Sequence, residues 1–271
     1  MSSQWHNFLC NLGEWRGSFT SLDREGRITG STPSILTLED ATPPGSGNGV
    51  EERLVRFRLR RYADGFASEP SRDVRQDYRT LGRQVVFFAT GAFCKGSLQV
   101  APNTAFGAEF GFVAGDRRHR LVQLFDAGGR FDGLVLIREF RAGTDATELP
   151  PLTAEQLSGT WQGEAATMTA DWPEIERSDC RVQLEADGAG GLILQTCLGV
   201  EEKERPAPAG GRPQLLADGG FSLAPEQVSH RAPFTVEAGW LRAPDRLERL
   251  IRRYDASGAW RSAHHQVLER A

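Results

Sequence analysis

The sequence predicts an all-β protein built as two antiparallel β-barrels in tandem, each preceded by a short helix. Three observations carry that expectation. Glycine is abundant (30 of 271 residues), methionine is scarce (2), and short apolar runs recur between Gly, Asp, Asn and Pro, which is how a chain of many short strands reads. Three ordered blocks of the first half return in the second. The stretch Arg53–Tyr62, RLVRFRLRRY, alternates apolar and cationic side chains with the period of two that marks a half-buried strand.

The first unit opens with Trp5, Phe8, Leu9 and Leu12 at i, i+3, i+4 and i+7, one apolar stripe of a helix that would plug or flank a barrel. LGEWRG (Leu12–Gly17) follows as a first strand with Trp15 two residues after Gly13. Candidate strands then run over Ser34–Glu39, Leu54–Tyr62, Gln84–Ala89, Gly96–Val100, Phe106–Val113, Arg120–Phe125 and Phe131–Arg141, each bounded by turn residues. AGTDATELPPLTA (Ala142–Ala154) is acidic, proline-bearing and poor in large apolar residues, so it predicts a linker. Thr153-Ala154-Glu155-Gln156 has capping-box form and announces the second helix.

SGTWQG (Ser158–Gly163) repeats the first block, placing Trp161 after Gly159. AFGAEFGFV (Ala105–Val113) matches PFTVEAGWL (Pro233–Leu241), which pairs Phe106, Glu109 and Gly111 with Phe234, Glu237 and Gly239. RLVQLFDAGGRF (Arg120–Phe131) matches RLIRRYDASGAW (Arg249–Trp260). A duplicated β unit follows, with one barrel over residues 1–146 and the other over 147–271. Trp15 and Trp161 are expected to close the barrel bases by packing, with ligand contact as the other role open to them.

The formal charge of −4 gives no overall cationic field, which argues against nucleic acid as a partner. No long apolar run occurs, and the N-terminal MSSQWHNFLCNLGEW lacks the basic and apolar regions of a leader. The expectation is a cytoplasmic chain without a transmembrane segment. Cys10, Cys94, Cys180 and Cys197 form no CxxC pair. Their even count permits two disulfides, but free buried thiols are expected in a reducing compartment. His6, His119, His230, His264 and His265 make no metal-binding pattern, adjacent His264 and His265 must face opposite sides of a strand, and no nucleotide or nucleophile motif is present. Neither a metal nor a cofactor is expected.

A Gly-x-Trp first strand, preceded by a short helix and followed by about eight strands, resembles the lipocalin and fatty-acid-binding proteins of the calycin superfamily. QWHNFLCNLGEWRGSFTSLDREGRITGSTPSILTLE (Gln4–Glu39) is similar to the opening of a cyanobacterial family with tandem lipocalin-like domains. The superfamily also includes the S-type phycobiliprotein lyases, which hold a linear tetrapyrrole in one such barrel, although no lyase-specific motif is present. The resemblance implies a small hydrophobic or tetrapyrrole ligand and, as a further candidate partner, a pigment-binding protein.

The candidate site lies in the N-terminal barrel. Arg56, Arg58 and Arg60 are expected to line or rim its lumen, where guanidinium forks would hold a carboxylate. Val55, Phe57 and Leu59 would then pack outward. Phe87, Phe88 and Phe93 would supply an apolar wall, with Phe87 and Phe88 on opposite faces of their strand. Glu109 would pair with an arginine across the sheet or serve as an acid/base group. The corresponding stretch of the second copy, Leu192–Glu204, has no arginine ladder, so that barrel is expected to be a filled companion. Three functions follow in order of expectation. The first is binding of a fatty acid, isoprenoid or carotenoid acid, or bilin, in the manner of a pigment chaperone. The second is a cofactor-free isomerase, cyclase or bilin lyase, and the third a protein-interaction module with filled barrels.

Overall fold

The computed structural model describes residues 3–43, 53–171, 174–186 and 213–271, together with the backbone of 192–198. Helix α1 (Gln4–Leu9) leads into strands β1 (Gly13–Asp23), β2 (Ile28–Asp40), β3 (Val55–Arg61), β4 (Arg72–Tyr78), β5 (Val85–Phe87), β6 (Phe93–Gly96), β7 (Phe106–Ala114), β8 (Arg117–Phe125) and β9 (Phe131–Arg141). Helix α2 (Ala154–Leu157) opens the second half, followed by β10 (Gly159–Thr169), β11 (Glu176–Ala186), β12 (Leu192–Leu198), β13 (Gln214–Leu215), β14 (Gly220–Leu223), β15 (Phe234–Ala243), β16 (Arg246–Tyr254) and β17 (Trp260–Arg270). The strands form two separate antiparallel sheets, ordered β4-β3-β2-β1-β9-β8-β7-β6-β5 and β12-β11-β10-β17-β16-β15-β14-β13. The fold is all-β, two calycin-like barrels in tandem. Within the first, no hydrogen-bonded ladder joins β4 to β5 among the described residues; the chain 79–84 crosses that gap.

The same device closes the base of each copy. Gly13 and Gly159 take φ of 124° and 128°, a region an L side chain rarely adopts, and so turn the chain into the first strand. Trp15 and Trp161 then point into the base at 0% exposure. Their indole Nε1 groups donate to the Asn11 and Leu157 carbonyls at 2.9 and 2.8 Å. Arg141 and Arg270, near the ends of β9 and β17, lie over these rings at 4.3 and 4.2 Å. Helix α1 seats Phe8 in the first base, and Thr153 caps α2 through both bonds of the expected capping box.

The two barrels meet back to back across a shared apolar core that includes Phe88, Phe106, Phe110, Phe112, Val236, Trp240, Tyr254 and Trp260. Equivalent residues meet reciprocally. Val100 N–H donates to Gly258 O at 2.9 Å, and Val228 N–H to Gly129 O at 2.8 Å. Isolated bridges Gln99–Ala259 and Arg130–Gln227 repeat the relation. Phe106 and its counterpart Phe234 also meet, edge to face at 5.6 Å. The duplication read from the sequence is thus also a spatial one. Two glycines permit the approach. A Cβ on Gly96 would sit 2.8 Å from the Tyr254 hydroxyl, and one on Gly220 would sit 2.3 Å from the His119 ring. The linker packs on the second sheet, where Leu149 N–H donates to Asp218 at 2.8 Å. Asp218 also accepts from Arg117 and meets His119 Nδ1 at 3.1 Å, which ties β8 to the second barrel.

Candidate functional site

Alternation along β3 decides which side chains see the lumen. Val55, Phe57 and Leu59 belong to the base cluster with Trp15, Leu36, Leu38 and Phe8. Phe57, Leu59 and Arg61 line a cavity of about 570 Å³. The opposite row, Arg56, Arg58 and Arg60, therefore faces outward, reversing the sequence expectation for both rows. Arg58 forks onto Asp73 at 3.0 and 2.8 Å, and Arg60 lies 3.9 Å from Glu14. In the ladder Arg56 stands between Glu39 of β2 and Asp77 of β4. The physical reason is charge balance. On the outer face these arginines have carboxylates on the neighbouring strands and water around them, whereas inside, three guanidiniums would have needed anions.

Phe87 and Phe93 line the cavity as expected. Phe88 does not. One residue past β5, it packs into the inter-barrel core, where its ring lies 5.2 Å from His265. Glu109 lines the cavity and accepts from Arg120 Nη1 at 2.8 Å, the cross-strand pair the sequence suggested. In the second copy Arg249 Nε donates to Glu237 at 2.8 Å, so the duplicated Glu–Arg pair is kept. The stretch Leu192–Glu204 holds β12, and its residues 199–204 lie outside the described residues.

The lumen holds cations that the ladder argument missed. Arg118 and Arg120 project from β8 and share Glu139 of β9. Arg118 Nη1 donates at 3.2 Å, while Arg120 donates through Nε at 3.0 Å and Nη2 at 2.8 Å. Burial pulls Arg118 down to about 10 despite Glu139. For Arg120 burial is the largest influence and lowers it, yet Glu139 and Glu109 together hold it above its ordinary value. Burial raises Glu139 most strongly, but Arg120 and Arg118 outweigh it and the carboxylate stays below its usual range. Arg61 stands over the Phe19 ring at 3.9 Å, directly opposite Arg72 in the β3–β4 ladder. Both line the cavity, and neither has a carboxylate partner among the described residues. Burial lowers Arg61, and Arg72 and Arg120 lower it further. Arg61 Nε is buried without a hydrogen-bond partner. Lys95 adds a fifth cation to a lining in which Glu109 supplies a carboxylate, while Glu139 is held by Arg118 and Arg120.

The cavity therefore has an apolar base and wall, made by Phe8, Leu38, Phe57, Leu59, Val85 and Phe87, and a cationic mouth at Arg61 and Arg72. Like charges directly opposite in a sheet are destabilising, and Arg61 and Arg72 stand in that relation at the cavity. No group of three or more His, Cys, Asp or Glu side chains suited to a metal is found among the described residues, and Cys10 and Cys94 are free thiols. No helix among those residues is long and apolar enough to cross a membrane.

Residues 1–144 match the N-terminal domain of the DUF3598 family, and residues 148–212 and 203–271 match the C-terminal domain of Biogenesis factor required for ATP synthase 1. A crystal structure of a DUF3598 protein from Nostoc punctiforme is 35% identical, with 100% of each chain covered and a TM-score of 0.84. An S-type phycobiliprotein lyase from Guillardia theta is 10% identical at a TM-score of 0.20, covering 100% of this chain and 93% of its own. Kievitone hydratase from Nectria haematococca is 8% identical at 0.21, covering 97% and 90%. With TM-scores this low, the last two carry no weight for the function of this chain. No curated protein matches it.

Proposed function

The chain belongs to the DUF3598 family, and from its N-terminal lumen we propose that it binds an amphipathic acid, with the carboxylate between Arg61 and Arg72 and the apolar body against Phe57, Phe87 and Phe93. The observation that carries this reading is the pair of guanidiniums facing each other at the cavity mouth without a protein counter-ion among the described residues. A guanidinium pair suits a carboxylate because two forks can take both oxygens, and each charge-assisted bond is stronger than a neutral one. The cavity volume falls within the range of about 300–1,000 Å³ usual for small-ligand sites. Fatty acids, oxidised isoprenoids and bilins all have this chemistry, and a carrier or pigment-chaperone role follows from binding alone. Glu109 would have to act as the acid/base group in a cofactor-free enzyme, but one of its oxygens is already engaged by Arg120. That favours binding over turnover.

The test is a titration with dodecanoic acid. Arg61→Gln/Arg72→Gln should weaken binding by about tenfold to a hundredfold, since a hydrogen bond to a charged group contributes about 1.5–3 kcal/mol. Arg56→Gln/Arg58→Gln, on the outer face, should leave it unchanged. Equal effects of the two double variants would remove the lumen from the account.

A second reading is favoured by the match of the C-terminal half to a domain of an ATP synthase biogenesis factor. On that reading the second barrel is a protein-contact module, and a host lacking this chain should accumulate less assembled ATP synthase. Unchanged assembly on native gels would set it aside.

A further inference from the structure

The two copies differ at one buried pair of the lumen. In the first, Arg118 of β8 faces Glu139 of β9; at the equivalent places in the second stand Leu247 and Leu268, both fully buried in an apolar cluster with Trp161. The second copy therefore closes over its tryptophan without an arginine at this position. In the first copy Arg118 is 5% exposed, between the Trp15 ring at 5.9 Å and the Phe93 ring at 5.7 Å. It lines the cavity, and its Nε is buried without a hydrogen-bond partner. A buried donor left unmade costs far more than a made one gains, so such a group in a fold that has a leucine alternative asks for a reason.

Charge decides what could meet it. Arg118 and Arg120 are balanced by Glu139 and Glu109, so these four groups are neutral in sum while Arg118 Nε stays unmet, and the further cation Lys95, opposite Glu109, is exposed to solvent. A further carboxylate would bring uncompensated negative charge into a buried site. An uncharged oxygen would satisfy the donor without that cost. Building on the reading of the lumen as an acid-binding site, we infer that Arg118 is a second ligand contact. It seats a neutral carbonyl oxygen (a ketone, lactam or ester) at the inner end of the bound acid. The spacing follows from β1. Arg118 and Arg61 both stand in the Gly17 row of the sheet, but their side chains diverge: the Arg118 guanidinium leans over Trp15 and that of Arg61 over Phe19, four residues apart on β1, or up to roughly 13 Å at the rise of a β-strand. The ligand is then an oxidised amphiphile, anionic at the mouth and carrying a neutral oxygen about that far in.

The experiment compares three probes on the full chain: dodecanoic acid, dodecanedioic acid and the monomethyl ester of dodecanedioic acid. The half ester should bind about tenfold more tightly than dodecanoic acid, the low end for a hydrogen bond to a charged group, and at least as tightly as the diacid. Arg118→Leu/Ile137→Gln/Glu139→Leu installs the side chains of the second copy. It should abolish the preference for the half ester while leaving the affinity for dodecanoic acid intact. Arg118→Met, which leaves Glu139 both bonds from Arg120, should do the same and covers a failure of the triple variant to fold. Equal affinity for half ester and dodecanoic acid, tightest binding of the diacid, or a preference that survives both variants would each overturn the inference while leaving acid binding in place. Failure of all three probes to bind would overturn the lumen reading and this inference together.

Discussion

The two barrels share a frame and differ in what the frame encloses. Both turn at a positive-φ glycine, bury a tryptophan whose indole donates to a carbonyl four residues before it, and cover that ring with an arginine from the last strand. Both keep the Glu–Arg pair between the third-last and second-last strands. The first then adds Arg118 and Glu139 where the second has Leu247 and Leu268. Parts common to both copies serve closure and parts found in one serve something else, so the difference separates fold from function within a single chain.

The comparison can be broken at several places, and the largest effects should come from its shared parts. Trp15→Ala and Trp161→Ala should each cost about 3–5 kcal/mol in urea unfolding, the usual range for deleting a buried aromatic. A clearly smaller loss at one of them would show that the bases are not equivalent. Glu139→Leu alone should cost a similar 3–5 kcal/mol or so, because it leaves Arg118 without its counter-charge in a buried site. The triple variant that copies the second barrel should be neutral or more stable, since replacing a buried ion pair by packed apolar residues commonly is. Gly220→Ala should cost about 1–3 kcal/mol by overpacking against His119, and a neutral outcome would mean the barrels can slide apart at that point.

Acidity offers a smaller and more specific contrast. The folded-state value of Glu139 lies below its ordinary 4.5. Its contribution to stability is therefore complete above about pH 4.5 and is lost as pH falls through the folded value. The second barrel has Leu268 at that place and no proton to take up. Stability measured from pH 6 to pH 3 should fall less steeply in the triple variant than in the parent chain, and parallel curves would contradict the assignment. The smallest effect belongs to the outer face. Arg58→Gln removes an exposed pair with Asp73 and should leave stability unchanged within error.

Much of the frame was legible because it is written in periodicity. β9 falls where alternation and turn residues put it, both tryptophans are buried at the bases, and the three repeated blocks overlie in the two sheets. β4 was missed because RDVRQDY has only Val74 and Tyr78 as apolar anchors on an edge strand whose other face is charged. The inward row of β3 was misjudged because period two separates two rows without saying which one is inside. The acidic residues of neighbouring strands, Glu39, Asp73 and Asp77, hold that information, since they mark a face that balances its charge in water. Phe87 and Phe93 were recognised as lumen groups, whereas Phe88 was credited to the lumen although its neighbour already occupied that face. Arg118 escaped because the repeated block was aligned only from Arg120 onward. Two residues earlier, the same alignment sets Arg118 against Leu247 and exposes the most informative difference between the copies.

The central claim is that one barrel holds an amphipathic acid and its twin does not. Photocrosslinking with a diazirine-bearing dodecanoic acid, followed by mass spectrometry of the labelled peptides, tests it most directly. Labels should fall on β2–β5 and α1, around Leu38, Phe57, Leu59 and Phe87, and should be competed away by unlabelled acid. Competable labels confined to β10, β11 or β17, or spread evenly over both barrels, would contradict it.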